Sequence, residues 1–307
     1  MGTDRDTNSL GTFLRASRAR ITPEQAGLEL YSDRRRVDGL RREELAMLAG
    51  VSSSYYTRLE QGQSRNASTQ VLDALASALH LNATERAYLK ALASDGGRSV
   101  TVKRPPTESA DHAMLELLDT VPTVPALVLG RRSDVLAWNR LGHALLAPHH
   151  SFDAPESATT RPNMASLVFL DIDTRELYVD WRAKSRAVVG NLRLAAGAHP
   201  DDPVLASLIG SLSMASAEFA ALWADNRVQP CATASYELQH PLVGRFTITQ
   251  QTLRSIDAPD QTFVTHTAPR GSAAAEALTL LAQLAGDSEH AHDSFVSQPR
   301  EPAPDSV

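Results

Sequence analysis

The chain has 307 residues, 42 % of them hydrophobic and 21 % charged, enough for about two domains with ordinary cores. Its single cysteine, Cys231, excludes an internal disulfide and argues against a cysteine-rich metal module. The formal net charge of -6 speaks against nucleic acid, but residues 1–104 hold 16 Lys plus Arg and 12 Asp plus Glu, a net +4, while the rest hold 14 and 24, a net -10.

A basic first part joined to an acidic second part suggests two tasks. No apolar run approaches the ~20 residues of a membrane span. The segment "MGTDRDTNSL" lacks the apolar core of a signal peptide. A cytoplasmic location, with no membrane partner, is expected.

The first predicted helix covers Ser9–Arg20, with Leu10, Phe13 and Leu14 on one face. Thr22 and Gln25 then form a capping box around Pro23. A basic connector, "DRRRVDGL", leads into "GLRREELAMLAGVSSSYYTRLEQGQ" at residues 39–63. Here the helical spacing of apolar residues is interrupted once, at Gly50.

The interruption has a physical reading. Leu45, Ala46 and Leu48 give one short helix its packed side, and Glu43 and Glu44 suit its N-terminal dipole. Gly50 permits the positive φ of a helix stop. Val51 plugs the space between helices, and Ser52 caps the next one. Tyr56 and Leu59 continue its buried face. The pattern is a helix-turn-helix. The outer face of the second helix carries Ser53, Ser54, Tyr55, Thr57 and Arg58, residues suited to base edges in a major groove. The Ser52 end offers free N–H groups to a phosphate. Arg41 is a poor N-cap, a loss of about 1 kcal/mol that is tolerable if the charge is wanted there. Arg41 and Arg42 would meet the DNA backbone or a base, and Arg34, Arg35 and Arg36 a flanking phosphate or minor groove. The plainer alternative is a helical hairpin with a solvated charged face. Ser68 opens a further helix to Leu79, and an Asn82–Glu85 capping box opens another to about Ala93, giving five helices.

The stretch "SDGGRSVTVKRPPTES" reads as a linker. After it, "VPALVLG" and "DVLAWN" are short strands, and Asn139 caps a helix to about Leu146. Residues 150–162 read as loop. A long helix is expected over Arg175–Ala196 and another over Pro203–Asp225. "ASYELQH", "GRFTITQQTL" and "TFVTHT" are strands, the second alternating through Phe246, Ile248 and Leu253. A helix over Ala273–Leu284 follows, and then a tail with a disordered composition. The expected domains are 8–95, a linker 96–107, 108–286, and a tail 287–307.

Two apolar stripes stand on the long helices: Tyr178, Trp181, Val188 and Leu192 on one, and Leu208, Leu212, Phe219 and Trp223 on the other. They are either plain core or the border of a pocket. Two of the three tryptophans lie here, and small residues interleave, Ser185 and "GSLSMASA" among them, which leaves room for a ligand. His290 with His292, and His149 with His150, are too few for a metal site and read as solvated. Asp171, Asp173, Glu176 and Asp180 read as helix caps rather than acid–base machinery, because no histidine, nucleophile or phosphate loop accompanies them. There is no G-x-S-x-G, G-x-G-x-x-G or G-x-x-x-x-G-K. No cofactor, metal or catalytic residue is expected, and Cys231 reads as incidental.

The stretch "LRREELAMLAGVSSSYYTRLEQG" resembles the Xre/lambda-repressor-like helix-turn-helix family. With "RRRVDGLRREE", "LYVDWRAKSRAVVGNLRLAAGAHPDDPVLASLIGSLSMASAEFAALWADNRV", "HPLVGRFTITQQTL" and "PRGSAAAEALTLL", it looks like the MmyB-like branch over roughly residues 8–285. The resemblance implies an α+β chain: an all-α, five-helix lambda-repressor-like domain, then a PAS-like mixed domain with an antiparallel sheet that accommodates a fatty-acid-like effector. The chain departs from the family before "HP", where Tyr236, Glu237 and Gln239 stand in place of basic residues. No cationic anchor follows from that segment.

The expected function is a bacterial-type, ligand-responsive transcription regulator. It would bind a palindromic duplex as a homodimer, since one recognition helix covers only a few base pairs. The rivals are a DNA-binding adaptor whose second domain holds a protein partner, and an enzyme with an appended DNA-binding module.

Overall fold

The structure is a computed structural model that describes residues 9–28, 38–63, 67–94, 108–225 and 233–296. Arg34, Arg35, Arg36 and Cys231 lie outside the described residues. The chain forms two compact units. The first comprises Met1–Pro106 and Ser185–Cys231, the second Thr107–Lys184 and Ala232–Val307. The domains expected from the sequence follow chain order, whereas these units interleave.

The first unit begins with five helices: α1 (Ser9–Arg20), α2 (Arg42–Leu48), α3 (Ser53–Glu60), α4 (Thr69–Ala78) and α5 (Ala83–Ser94). Their apolar stripes close on one core around Phe13, Leu14, Leu45, Tyr56, Leu75 and Leu89, and Phe13 meets Tyr88 edge to face at 5.1 Å. Between α2 and α3, Gly50 adopts φ +65°. Its N–H bonds Met47 O at 3.1 Å and that of Val51 bonds Ala46 O at 2.9 Å, which satisfies the carbonyls left open at the helix end. Thr22 and Gln25 do exchange both capping-box hydrogen bonds, but the chain there makes turns to Gly27 and not a helix. Three more helices belong to this unit. They are most of α10 (Trp181–Ala198), then α11 (Pro203–Ala215) and α12 (Ala217–Ala224). The expected single helix over Pro203–Asp225 breaks at Ser216, whose hydroxyl caps α12 by accepting from Phe219 N at 3.1 Å.

The second unit is a five-stranded antiparallel sheet, built of β1 (Ala126–Leu129), β2 (Val135–Trp138), β3 (Thr233–His240), β4 (Gly244–Arg254) and β5 (Thr262–Thr267) in the order β2-β1-β5-β4-β3. Helix α6 (His112–Thr120), which the sequence reading passed over, lays Met114 and Leu118 on Ala126, Val128 and Phe263. The remaining helices are α7 (Arg140–Leu146), α8 (Met164–Leu170), α9 (Ile172–Leu177) and α13 (Ala273–Val296). Asn139 ties this unit together. Its carbonyl caps α7 at Gly142 N (2.8 Å), and its amide donates to Val121 O and Val124 O. Strands β3 and β4 bury every second residue, which puts Tyr236, Leu238, His240, Phe246, Ile248 and Gln250 on one covered face.

The helix expected over Arg175–Ala196 is two helices. Tyr178 leaves the helical path to bridge Leu238, and Val179 N donates to Glu237 O at 3.0 Å. The sheet edge thus takes the backbone groups that the helix would have used. Helix α13 runs to Val296, into the stretch whose composition suggests a disordered tail.

Candidate functional site

In the helix-turn-helix, Ser52 accepts from Tyr55 N at 3.2 Å and so caps α3. Arg41 makes no side-chain cap for α2. Glu44 compensates by accepting from Arg41 N at 2.7 Å. Arg41, Arg42, Ser52, Ser54 and Arg58 are exposed, while Ser53, Tyr55 and Thr57 are half-buried. Tyr55 packs partly against the core, so its ring is less available than the outer-face reading assumes. Arg58 has no side-chain partner among the described residues.

At the end of α3 the structure holds a feature that sequence reasoning missed. Glu60 is 0 % exposed. Its Oε1 accepts from Arg18 Nε at 2.7 Å and from the Tyr56 hydroxyl at 2.9 Å, and its Oε2 accepts from Arg42 Nε at 2.6 Å. Burial alone raises the Glu60 pKa, but the hydrogen bonds from Arg18, Arg42 and Tyr56 overcome it and hold the carboxyl below its usual range. The cluster pins α1, α2 and α3 together, so Arg42 carries part of the domain's architecture. The only local signal was an acidic residue one place after Leu59 and four after Tyr56, on the buried side of the helix.

On the covered face of the sheet lies a second polar cluster. Lys184, on the first turn of α10, is 5 % exposed. Its Nζ donates to Gln250 Oε1 at 2.8 Å and stands 4.9 Å from the ring centres of both Tyr178 and Tyr236. Gln250 is the cross-strand partner of His266, which is 1 % exposed. Burial, and after it the charge of Lys184, push the His266 pKa down to about 3. The Tyr178 hydroxyl and both His266 ring nitrogens make no well-formed hydrogen bond among the described residues. Lys184 has no carboxylate partner among them either. A buried cation is ordinarily paired with an anion, whereas among the described residues Lys184 meets an amide oxygen and two aromatic faces.

Comparison with known families decides the assignment. The profile described as "MmyB-like transcription regulator ligand binding domain" matches residues 110–281, and one described as "Helix-turn-helix domain" matches residues 9–89. The chain belongs to the MmyB-like family. It pairs a helix-turn-helix domain with a ligand-binding domain, the organisation of a transcription regulator. No curated protein matches the chain significantly. Among the described residues, no helix is long and apolar enough to cross a membrane.

Within this MmyB-like chain the apolar stripes divide between the units. Tyr178 and Trp181 lie in the second. Ser185, Val188, Leu192, Leu208, Leu212, Phe219 and Trp223 lie in the first. Trp181 is fixed by its Nε1 donating to Val168 O at 2.6 Å, by Phe169 edge-on at 5.7 Å and by the Arg175 guanidinium at 4.1 Å. Phe219 and Trp223 stack at 5.8 Å, and the Arg193 guanidinium covers the Trp223 ring at 4.6 Å. His240 of the "HP" motif accepts from Leu242 N through Nδ1 at 3.2 Å. Its Nε2 is therefore the protonated nitrogen and donates to Ala144 O at 3.0 Å. This histidine holds the β3–β4 turn to α7.

Proposed function

We propose that the regulator binds a palindromic operator as a cytoplasmic homodimer, and that a fatty-acid-like effector in its C-terminal domain adjusts that affinity. Ser53, Ser54, Thr57 and Arg58 read bases from α3. Arg41, Ser52 and the upstream Arg34, Arg35 and Arg36 meet phosphates. The effector's carboxylate lies at Lys184 with the Tyr178 hydroxyl and His266, and its chain runs along the apolar residues of the covered sheet face and the start of α10. The cationic anchor missing before "HP" thus comes from a helix that packs on the same face.

The observation that carries this reading is the buried, carboxylate-free Lys184. A charge there is costly without an anion, and charge-assisted hydrogen bonds to an anion are about twice as strong as neutral ones. The effector alters DNA affinity only as far as it binds one dimer arrangement better than another. The test adds saturated fatty acids of about ten to eighteen carbons, a length suited to one elongated apolar site, to ligand-free protein. Operator affinity, melting temperature and oligomeric state by native mass spectrometry are then measured. Shifts in all three are expected. No shift in any would remove the effector from the reading.

A further inference from the structure

A separate cluster in the second unit points to a metal ion. His149 and His150 follow α7, and Asp171 lies between α8 and α9. The sequence gives each a bland role, two loop histidines and a helix cap. The fold brings them together: one ligand atom from each lies within 4.8 Å of the others. His149 Nε2 is 3.2 Å from Asp171 Oδ2, and the two imidazole centres are 4.6 Å apart.

The surrounding contacts orient this set. Asp171 Oδ1 accepts from Thr174 N at 2.7 Å, so capping α9 takes one carboxylate oxygen and leaves Oδ2 turned to His149. On the far side of the imidazole, His149 Nδ1 stands 3.7 Å from Asp173 Oδ2. A carboxylate behind a ligating histidine fixes its tautomer and raises its basicity. The loop is held from below by His143, whose Nε2 lies 2.8 Å from His150 O. A tetrahedral ion with bonds of about 2.0–2.1 Å needs ligand atoms about 3.3 Å apart. The His149–Asp171 pair already has that spacing, and a His150 ring nitrogen lies within 4.8 Å of both.

We propose that His149, His150 and Asp171 bind a borderline divalent metal ion of the zinc, cobalt or nickel class, with Asp173 orienting His149. Two imidazoles and one carboxylate suit that class and not magnesium or calcium, which favour all-oxygen shells. Three protein ligands leave a fourth position open. His149 and Asp173 also line a cavity of about 410 Å³, with Leu145, Glu176, Leu177 and His240 among its walls. The ion would tie the turn after α7 to the start of α9 and stiffen that wall. This inference is independent of the fatty-acid reading, since it uses none of Lys184, Tyr178 or His266.

The test is isothermal titration of metal-free, full-length protein with zinc chloride, and absorption spectroscopy with cobalt(II). We expect one ion per chain and cobalt bands of four-coordinate intensity. His149→Ala and His150→Ala should each weaken zinc binding at least about 100-fold, and Asp173→Asn about 10–100-fold. Asp171→Asn keeps the cap on Thr174 N but loses the ligand charge, so it should weaken binding without lowering the melting temperature of metal-free protein. His290→Ala with His292→Ala should change nothing. No binding at 100 μM metal, or binding that survives His149→Ala with His150→Ala, would overturn the proposal. Loss of binding on changing His290 and His292 alone would do the same.

Discussion

Two buried polar clusters, one in each unit, differ in how they are satisfied. In the helix-turn-helix, Glu60 meets two guanidinium groups and a tyrosine hydroxyl at 2.6–2.9 Å. On the sheet of the second unit, among the described residues, Lys184 meets an amide oxygen and two aromatic faces, and beside it a tyrosine hydroxyl and an imidazole stand without well-formed hydrogen bonds. The first cluster is complete within the protein and fixes how three helices meet. The second leaves its cation without a carboxylate among the described residues, and the proposed effector would supply one. A satisfied buried network specifies architecture, whereas a partly satisfied one calls for an explanation, which the proposed effector would provide.

Removing the central group of each cluster should therefore have opposite consequences. Glu60→Ala leaves Arg18 and Arg42 without their shared anion, and losing one partner of a buried pair costs about 3–5 kcal/mol. We expect the isolated region 1–100 to melt far lower, or not to fold, as measured by circular dichroism. A melt within about 0.5 kcal/mol of wild type, the range of an ordinary surface change, would show that the cluster is incidental.

The second prediction concerns pH. The His266 pKa falls from 6.5 unfolded to about 3 folded, so below pH 6.5 the unfolded chain takes up a proton that the native chain refuses. Stability from this group is whole above pH 6.5 and falls as pH drops toward 3. The loss at pH 5 relative to pH 8 is about 2 kcal/mol, at roughly 1.4 kcal/mol per pH unit. Urea denaturation should show His266→Phe with a flatter profile than wild type between pH 5 and 6.5. Parallel profiles would mean that this imidazole titrates normally.

Arg58 on α3 and Arg42 on α2 are both exposed but should respond differently to truncation. Arg58 is exposed and without a side-chain partner among the described residues, so Arg58→Ala should leave melting unchanged and cost about 1–3 kcal/mol of binding at one operator position. Arg42→Ala should lower stability by about 1 kcal/mol, since its side chain is 44 % exposed and solvent screens the pair. Site selection alongside thermal melts decides between them. Lost sequence preference with normal melting in Arg42→Ala would return that residue to base reading.

Much of this architecture was legible in local sequence. Gly50, Ser52 and the spacing of Leu45, Tyr56 and Leu59 place the turn and both helices, because caps and helix stops are set within a few residues. The alternation in "ASYELQH" and "GRFTITQQTL" places β3 and β4. Helix α8 was missed because "MASLVFL" is apolar on nearly every side, which removes the periodic signal. The break at Tyr178 was missed because its cause is Leu238, sixty residues later. The polar clusters were invisible for the same reason. Arg18, Arg42 and Glu60, or Lys184, Gln250 and His266, acquire meaning only once distant segments meet.

A small stability change of the opposite sign is expected at the residue on which the account turns. Lys184→Met should be neutral, or stabilising by about 1 kcal/mol, in ligand-free protein, since an apolar replacement removes a buried charge that lacks an anion. Its effect should lie in binding. The direct measurement is calorimetric titration of wild type and Lys184→Met with dodecanoate and with its methyl ester. The account predicts that wild type prefers the acid to the ester by about 10–100-fold, the worth of a charge-assisted hydrogen bond of 1.5–3 kcal/mol, and that Lys184→Met loses this preference while still binding the ester. Equal affinity of wild type for acid and ester would contradict it.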